Sequence, residues 1–178
     1  GKVRCDREGN GELGYNASIF SDLTGLEGKE QNVSEAADLA EEYFDGGFNC
    51  AESTLVALAI HFGKTAPNIP SIATAFGGGM ARTRNVCGAV TGALMALGLL
   101  YGRSHRDDDK ERCYTLAAEL IQAVQLRSGS INCFDLTGLD FTQPDSQQAY
   151  TEKVHGEVCV PLVRFIVDRV MELTGRKG

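Results

Sequence analysis

Cysteine is the residue type whose number and placement in this chain suggest chemistry. The chain of 178 residues contains six cysteines, at positions 5, 50, 87, 113, 133 and 159. That number is high for structural thiols in a chain of this size, but the cysteines are too scattered for a disulfide-stapled miniprotein. Neither a CxxC pair nor a CxxCH motif occurs, so zinc-ribbon, thioredoxin-type and covalently bound haem sites lack their usual signal.

Four of the cysteines lie at positions from which they could bind a common metal ion or cluster. Cys50, Cys87 and Cys159 each fall near the predicted start of a helix, and Cys133 lies in a polar loop. Helix N-termini offer free backbone N–H groups and a partial positive charge, which favour a thiolate. Converging thiolates repel one another unless a metal ion or cluster neutralises them. Such a site suits an iron–sulfur cluster or a structural zinc ion.

Glycines and arginines precede Cys87. The glycine triplet at positions 77–79 marks a tight bend, or a place where backbone or a ligand comes close. Arg82 and Arg84 follow the triplet, and positive charge beside a cysteine lowers the thiol pKa or balances an anionic cluster. An equally weighted alternative is that both arginines only cap and solvate a loop.

The three histidines are weaker ligand candidates than the cysteines. His155 lies four residues before Cys159, so a helix would place both on one face. His61 and His105 rank below His155 as possible ligands. A lone histidine is more often a surface or capping group than a metal ligand, and we favour that role for His155.

The element that must position these side chains is the uncharged stretch from Cys87 to Tyr101, CGAVTGALMALGLLY. A helix that is apolar on every face must be surrounded by a protein core or by lipid. Gly88, Gly92 and Ala96 recur every four residues, which lets a neighbouring backbone approach closely. A membrane span needs about 20 predominantly apolar residues with few breaks, so we predict the central helix of a soluble core.

Apolar periodicity predicts further helices and gives little indication of strands. One helix is capped by Asn32 and ends at glycines 46–47, one runs from Asn49 through Phe62, one ends near Arg127, and the last begins near Ser146 or after His155. Residues 128–144 are predicted to form a loop. We therefore predict an all-α fold with a polar, irregular N-terminal arm over residues 1–31. Residues 32–178 form a single helical domain of about five to six helices around a central Gly/Ala-rich buried helix.

The charge balance and the N-terminal arm restrict the function classes only partly. The net charge of −7 argues against general binding to nucleic acid or to an acidic membrane surface. Residues 6–13 imitate part of an EF-hand loop, but Ala17 stands where the bidentate glutamate belongs, so a solvated turn is favoured over a calcium site. The chain begins with Gly1, so the compartment, cytoplasmic or exported with a cleaved signal, stays open.

Two segments and two later cysteines resemble the C_GCAxxG_C_C family of putative redox-active proteins. They are GFNCAEST (47–54), FGGGMARTRNVCGAVTGALMALGL (76–99), Cys133 and Cys159. The resemblance covers roughly residues 33–172. It maps the four family cysteines to Cys50, Cys87, Cys133 and Cys159. Relatives of this type include the split-Soret cytochromes, in which the domain carries an iron–sulfur centre beside haems. Haem is not expected here because CxxCH is absent.

The resemblance implies electron transfer at an iron–sulfur cluster bound by these four cysteines, with Arg82, Arg84 and Gly88 beside the cofactor. It favours an electron carrier or redox partner over a stand-alone enzyme. A redox partner protein and homodimerisation are the expected interactions, with neither nucleic acid nor a membrane span. Two alternatives stay open. One is a thiol–disulfide redox protein that uses the same cysteines, and the other is a non-redox helical module with zinc or structural disulfides.

Overall fold

In the computed structural model, which describes residues 33–175, every regular element is helical, and the predicted all-α fold is confirmed. The α-helices are α1 (Val33–Asp45), α2 (Cys50–His61), α3 (Gly88–Tyr101), α4 (Glu111–Ser128), α5 (Cys133–Thr137), α6 (Ser146–Ala149) and α7 (Val160–Gly175). They are joined by a 3-10 helix (Ser71–Phe76), a short helical turn (Gly77–Met80) and a π-helical segment (Tyr150–Cys159). The predicted arm over residues 1–31, its EF-hand-like loop, Cys5 and the cap Asn32 lie outside the described residues.

Helix α3 is the buried centre of the described domain, as its sequence predicts. It packs against α2, α4 and α7. A side-chain carbon added at Gly92 would lie 2.4 Å from the carbonyl oxygen of Ala51 in α2, so only glycine permits this close crossing of the two backbones. Leu97 and Val90 are fully buried. The crossing of α2 and α3 brings the first residues of both helices together.

Helix α2 begins and ends where its sequence predicts. Asn49 is its N-cap, and Asn49 and Glu52 complete a capping box by exchanging backbone and side-chain hydrogen bonds. Phe62 caps the C-terminus, and Gly63 follows with a φ of +61°, a left-handed conformation that favours glycine. The capping box therefore fixes the orientation of the first turn, which contains Cys50.

Helices α1 and α7 complete the core: α1 packs against α2 and α7, and α7 also packs against α3 and α4. Apolar side chains from α2, α3, α4 and α7 are completely buried, and burying each contributes roughly 1.5–3 kcal/mol relative to exposure. They include Leu55, Leu58, Leu97, Leu120, Val124, Ile166, Val167 and Val170. Arg164 of α7 also pairs with Asp38 and Glu41 of α1. Over residues 33–175, no helix combines the length and apolarity that crossing a membrane requires.

The structure corrects the predicted loop over residues 128–144, because α5 occupies Cys133–Thr137 within it. A helix of five residues is too short to show apolar periodicity, which explains the error. For the last helix, the earlier of the two predicted starts is the better one, since helical structure begins at Ser146 and continues to Gly175.

Candidate functional site

Four cysteines from four separate segments line one cavity of about 560 Å³, here called the cysteine cavity. Cys50, Cys87, Cys133 and Cys159 contribute to its wall, together with apolar side chains such as Phe44 and polar ones such as Tyr150. Cys87 and Cys133 are buried, whereas Cys50 and Cys159 are partly exposed. All four are free thiols. The helical fold thus brings together side chains that are more than twenty residues apart along the chain.

Cys50 occupies the first position of α2, where the Asn49 side chain accepts the N–H groups of Ala51 and Glu52. The N–H groups of Gly78, Gly88 and Ala89 donate hydrogen bonds to its sulfur. A side-chain carbon at Gly88 would lie 2.5 Å from that sulfur, so glycine is required there for the close approach. The Cys50 sulfur is therefore surrounded by donors suited to a thiolate or a bound metal centre.

Cys87 and Cys133 are placed side by side by a short antiparallel pairing of the residues before them. Val86 and Asn132 form an isolated bridge. Within the same pairing, the Cys87 N–H donates to the Ile131 carbonyl at 2.8 Å, and the Cys133 N–H donates to the Asn85 carbonyl at 2.7 Å. Cys87 is the N-cap of α3, and Cys133 is the first residue of α5. This pairing brings two helix N-termini to the same cavity.

Cys159 ends the π-helical segment, directly before α7. Pro161 has no N–H with which to continue the α-helical hydrogen bonds, and in a regular α-helix its ring would clash with the carbonyl four residues earlier. The Val160 N–H instead donates to the carbonyl of His155, five residues earlier. The wider π-helical turn changes the direction in which preceding residues project, and such turns are frequent at functional sites.

The thiols differ in how readily they ionise. A hydrogen bond from Cys87, aided by the three backbone donors, lowers the pKa of Cys50 to about 7 and outweighs the opposing effect of desolvation. The same hydrogen bond, burial and the Cys50 charge raise the pKa of Cys87. Burial and the Cys50 charge also raise the pKa of Cys133 to about 11 and that of Cys159 to about 12. At neutral pH the metal-free site therefore holds at most one negative charge, on Cys50, and a cation would be needed to ionise all four thiols.

From the second glycine of the triplet onward, five consecutive residues have left-handed backbone conformations. Residues 78–82 all have φ between +55° and +72°, and residues 80, 81 and 82 are Met, Ala and Arg. Non-glycine residues in this region cost of order 1–3 kcal/mol each, so the surrounding contacts must hold the turn in place. A side-chain carbon at Gly79 would lie 2.5 Å from Cβ of Cys133, which shows how tightly the turn packs against the site.

The two arginines singled out by the sequence lie in different places. Arg82 lines the cysteine cavity and is exposed to solvent. Arg84 is not among the lining residues; it pairs with Asp140 at 3.2 Å, and its guanidinium lies 5.9 Å from the centre of the Phe134 ring. Arg82 is therefore placed to act on the electrostatics of the cavity directly, whereas Arg84 joins two neighbouring loops.

None of the three histidines lines the cysteine cavity. His155 lies against the rings of Phe44 and Tyr150, and its Nε2 is 3.7 Å from a carboxylate oxygen of Asp45. His61 packs against Phe62, and His105 lies beside Asp108. Among residues 33–175, no group of three or more His, Cys, Asp or Glu side chains is spaced so that it could hold a metal ion.

Several cavity residues give no recognisable signal in the sequence. Tyr150 faces the sulfurs, and its pKa is raised by burial and by the charges of Cys159, Cys50 and Cys133. Thr74 of the 3-10 helix and Gln147 of α6 also line the cavity. Asn49 and Glu52 form a recognisable capping box, but only the fold shows that the box lies at the cavity.

Comparison with known proteins agrees with this arrangement. The model of the family described as "Putative redox-active protein (C_GCAxxG_C_C)" matches residues 48–173, a segment that includes all four cavity cysteines. Searches of curated proteins and of solved structures gave no match. The family match covers most of the chain, and the chain therefore belongs to the C_GCAxxG_C_C family.

Proposed function

We propose that this protein transfers electrons through an iron–sulfur cluster held by Cys50, Cys87, Cys133 and Cys159. The observation that supports the proposal is the convergence of these four thiols on one cavity. Four cysteine ligands are the usual complement of such a cluster, and the family to which the chain belongs is described as redox-active.

The size and the chemistry of the cavity suit a cluster. The four thiols line a cavity of about 560 Å³, which has room for a group larger than a single zinc ion. Deprotonating all four requires a cationic centre, because three of them have raised pKa values. When bound, a cluster of this kind accepts and releases one electron at a time.

The protein's own residues would stabilise the charge and set the reduction potential. Backbone N–H groups at the Cys50 sulfur withdraw electron density from a ligand, and Arg82 adds positive charge at the cavity wall. Apolar side chains such as Phe44, Phe141 and Leu162 limit the access of water. Electrons would pass to a partner protein docked near the cavity, and the protein would act as a carrier, alone or as a homodimer, without changing a substrate's bonds.

Anaerobic purification or reconstitution with iron and sulfide tests this function. We expect a brown protein with stoichiometric iron, acid-labile sulfide and an electron paramagnetic resonance signal after reduction or oxidation. Serine at any of the four cavity cysteines should lower iron retention severalfold. Cys113→Ser is the matched control, since the Cys113 sulfur contacts the Leu97 carbonyl and does not line the cavity. Protein that stays colourless and free of iron after anaerobic reconstitution would contradict the proposal.

Thiol–disulfide exchange is a second candidate, supported by the hydrogen bond between Cys87 and Cys50. In that reaction the Cys50 thiolate attacks the disulfide of an oxidised substrate and releases one substrate thiol. Cys87, after losing its proton, then attacks Cys50 in the mixed disulfide and releases the second thiol, so two electrons pass to the substrate. Thiol counting in iron-free protein would show the loss of two thiols on oxidation, whereas protection of all four cavity cysteines by metal would exclude this candidate.

A further inference from the structure

We infer that Thr74 and Glu52 are positioning residues that hold the backbone of the glycine turn against the Cys50 sulfur. Thr74 lies in the 3-10 helix Ser71–Phe76, and Glu52 lies in the first turn of α2. The inference rests on the proposed function only in treating the Cys50 sulfur as part of the redox site.

The two oxygens of the Glu52 carboxylate make two different contacts, one within α2 and one to the 3-10 helix. Glu52 is only 9% exposed. One of its oxygens accepts the backbone N–H of Asn49 at 2.8 Å, which completes the capping box. The other accepts the hydroxyl of Thr74 at 2.5 Å, a bond that capping does not require. A second bond joins the same elements, because the Asn49 side-chain amide donates to the Thr74 carbonyl at 3.1 Å.

The backbone after Thr74 continues directly to the sulfur. Three residues separate Thr74 from Gly78, whose N–H donates to Cys50. Between them, Gly77 lies so close to Asn49 that an added side-chain carbon would be 2.5 Å from the Asn49 Cγ. The chain is therefore held at Thr74, pressed against the helix cap at Gly77, and aligned with the sulfur at Gly78.

This arrangement separates a positioning role from a capping role. If Glu52 served only to cap α2, the Thr74 hydroxyl would be dispensable. If the hydroxyl holds the turn, its loss frees the backbone at Gly78 and leaves the capping box intact. The strained left-handed residues that follow make release favourable once a restraint is removed.

Amide hydrogen exchange by NMR on the full chain, reduced and metal-free, tests the inference. In Thr74→Val, which keeps the side-chain shape but removes the hydroxyl, the Gly78 amide should exchange about fivefold to tenfold faster, as expected for one lost hydrogen bond. Thr74→Ser restores a hydroxyl and should keep the original rate. The Ala89 amide, which also donates to Cys50 but belongs to α3, should exchange at the same rate in all three proteins.

Equal Gly78 exchange in the parent, Thr74→Val and Thr74→Ser proteins would overturn the inference, and so would equal acceleration at Gly78 and Ala89. Thr74→Ala provides a second variant if Thr74→Val does not fold. In reconstituted protein, the reduction potential should shift in Thr74→Val and stay unchanged in Thr74→Ser. Because the exchange measurement uses no metal, failure to bind iron would contradict the proposed function but would leave this inference intact.

Discussion

The close crossing of α2 and α3 at Gly92 makes a quantitative prediction about stability. An alanine Cβ at Gly92 would lie 2.4 Å from the Ala51 carbonyl oxygen, whereas ordinary contacts begin at 3.4 Å. The two helices would have to separate by about 1 Å at that point, and such overpacking costs about 1–3 kcal/mol. Alanine also favours helix over glycine by about 1 kcal/mol, which partly conceals the clash in a single variant.

Gly98 provides the matched control because it lies in the same helix and has no atom near an added side-chain carbon. The helix-propensity gain is similar at both positions and cancels in the comparison. Gly98→Ala should therefore be more stable than Gly92→Ala by about 1–3 kcal/mol, or about 2–12 °C in melting temperature for a chain of this size.

The assay is thermal and urea unfolding of both variants in the reduced, metal-free state, with circular dichroism as the signal that monitors unfolding. Gly92→Leu should be destabilised further, because the larger side chain adds to the same clash. Equal stability of Gly92→Ala and Gly98→Ala would refute the argument that backbone contact at this crossing holds the two cysteine-bearing helices together.

Three further predictions concern ionisation, ion pairing and the core. In reduced, metal-free protein, the rate of Cys50 alkylation plotted against pH should have its midpoint near pH 7. Cys87→Ala should move this midpoint to higher pH, because the substitution removes the hydrogen bond that lowers the Cys50 pKa. An unchanged midpoint would exclude that bond. Arg164→Gln should lower the free energy of unfolding, measured with urea at low salt, by about 0.5–1 kcal/mol, and by less at 1 M salt, because the ion pairs of Arg164 with α1 are partly exposed. A loss of stability that does not depend on salt would indicate packing as the cause. Leu97→Ala should lower the free energy of unfolding by about 2–5 kcal/mol, because Leu97 is fully buried. Leu126 is 81% exposed, so Leu126→Ala should change it by less than about 0.5 kcal/mol. Similar losses at both positions would contradict the assigned core.

Local signals in the sequence were sufficient for the long helices. The helix predicted from Asn49 through Phe62 matches α2, whose N-cap is Asn49 and whose C-cap is Phe62. The spacing of Gly88, Gly92 and Ala96 predicted the central buried helix, because small residues repeated every four positions lie on one helix face and permit a close helix crossing. These features depend on residues near one another in the chain, which is why periodicity and capping reveal them.

The parts of the site that sequence analysis missed depend on contacts between distant segments. The bridge between Val86 and Asn132 places Cys87 beside Cys133, and nothing local in either segment indicates that pairing. Tertiary contacts likewise hold Met80, Ala81 and Arg82 in left-handed conformations that their residue types disfavour. The family resemblance therefore predicted that the four cysteines converge, whereas the backbone pairing and the left-handed turn that bring them together are visible only in the fold.

The most direct test of the central claim is cysteine-by-cysteine alkylation, read by mass spectrometry before and after anaerobic reconstitution with iron and sulfide. The account predicts that Cys50, Cys87, Cys133 and Cys159 become protected together, while labelling of Cys113 is unchanged. Protection of only some of the four, or unchanged labelling of all of them in iron-loaded protein, would contradict the claim that the four thiols hold one redox centre.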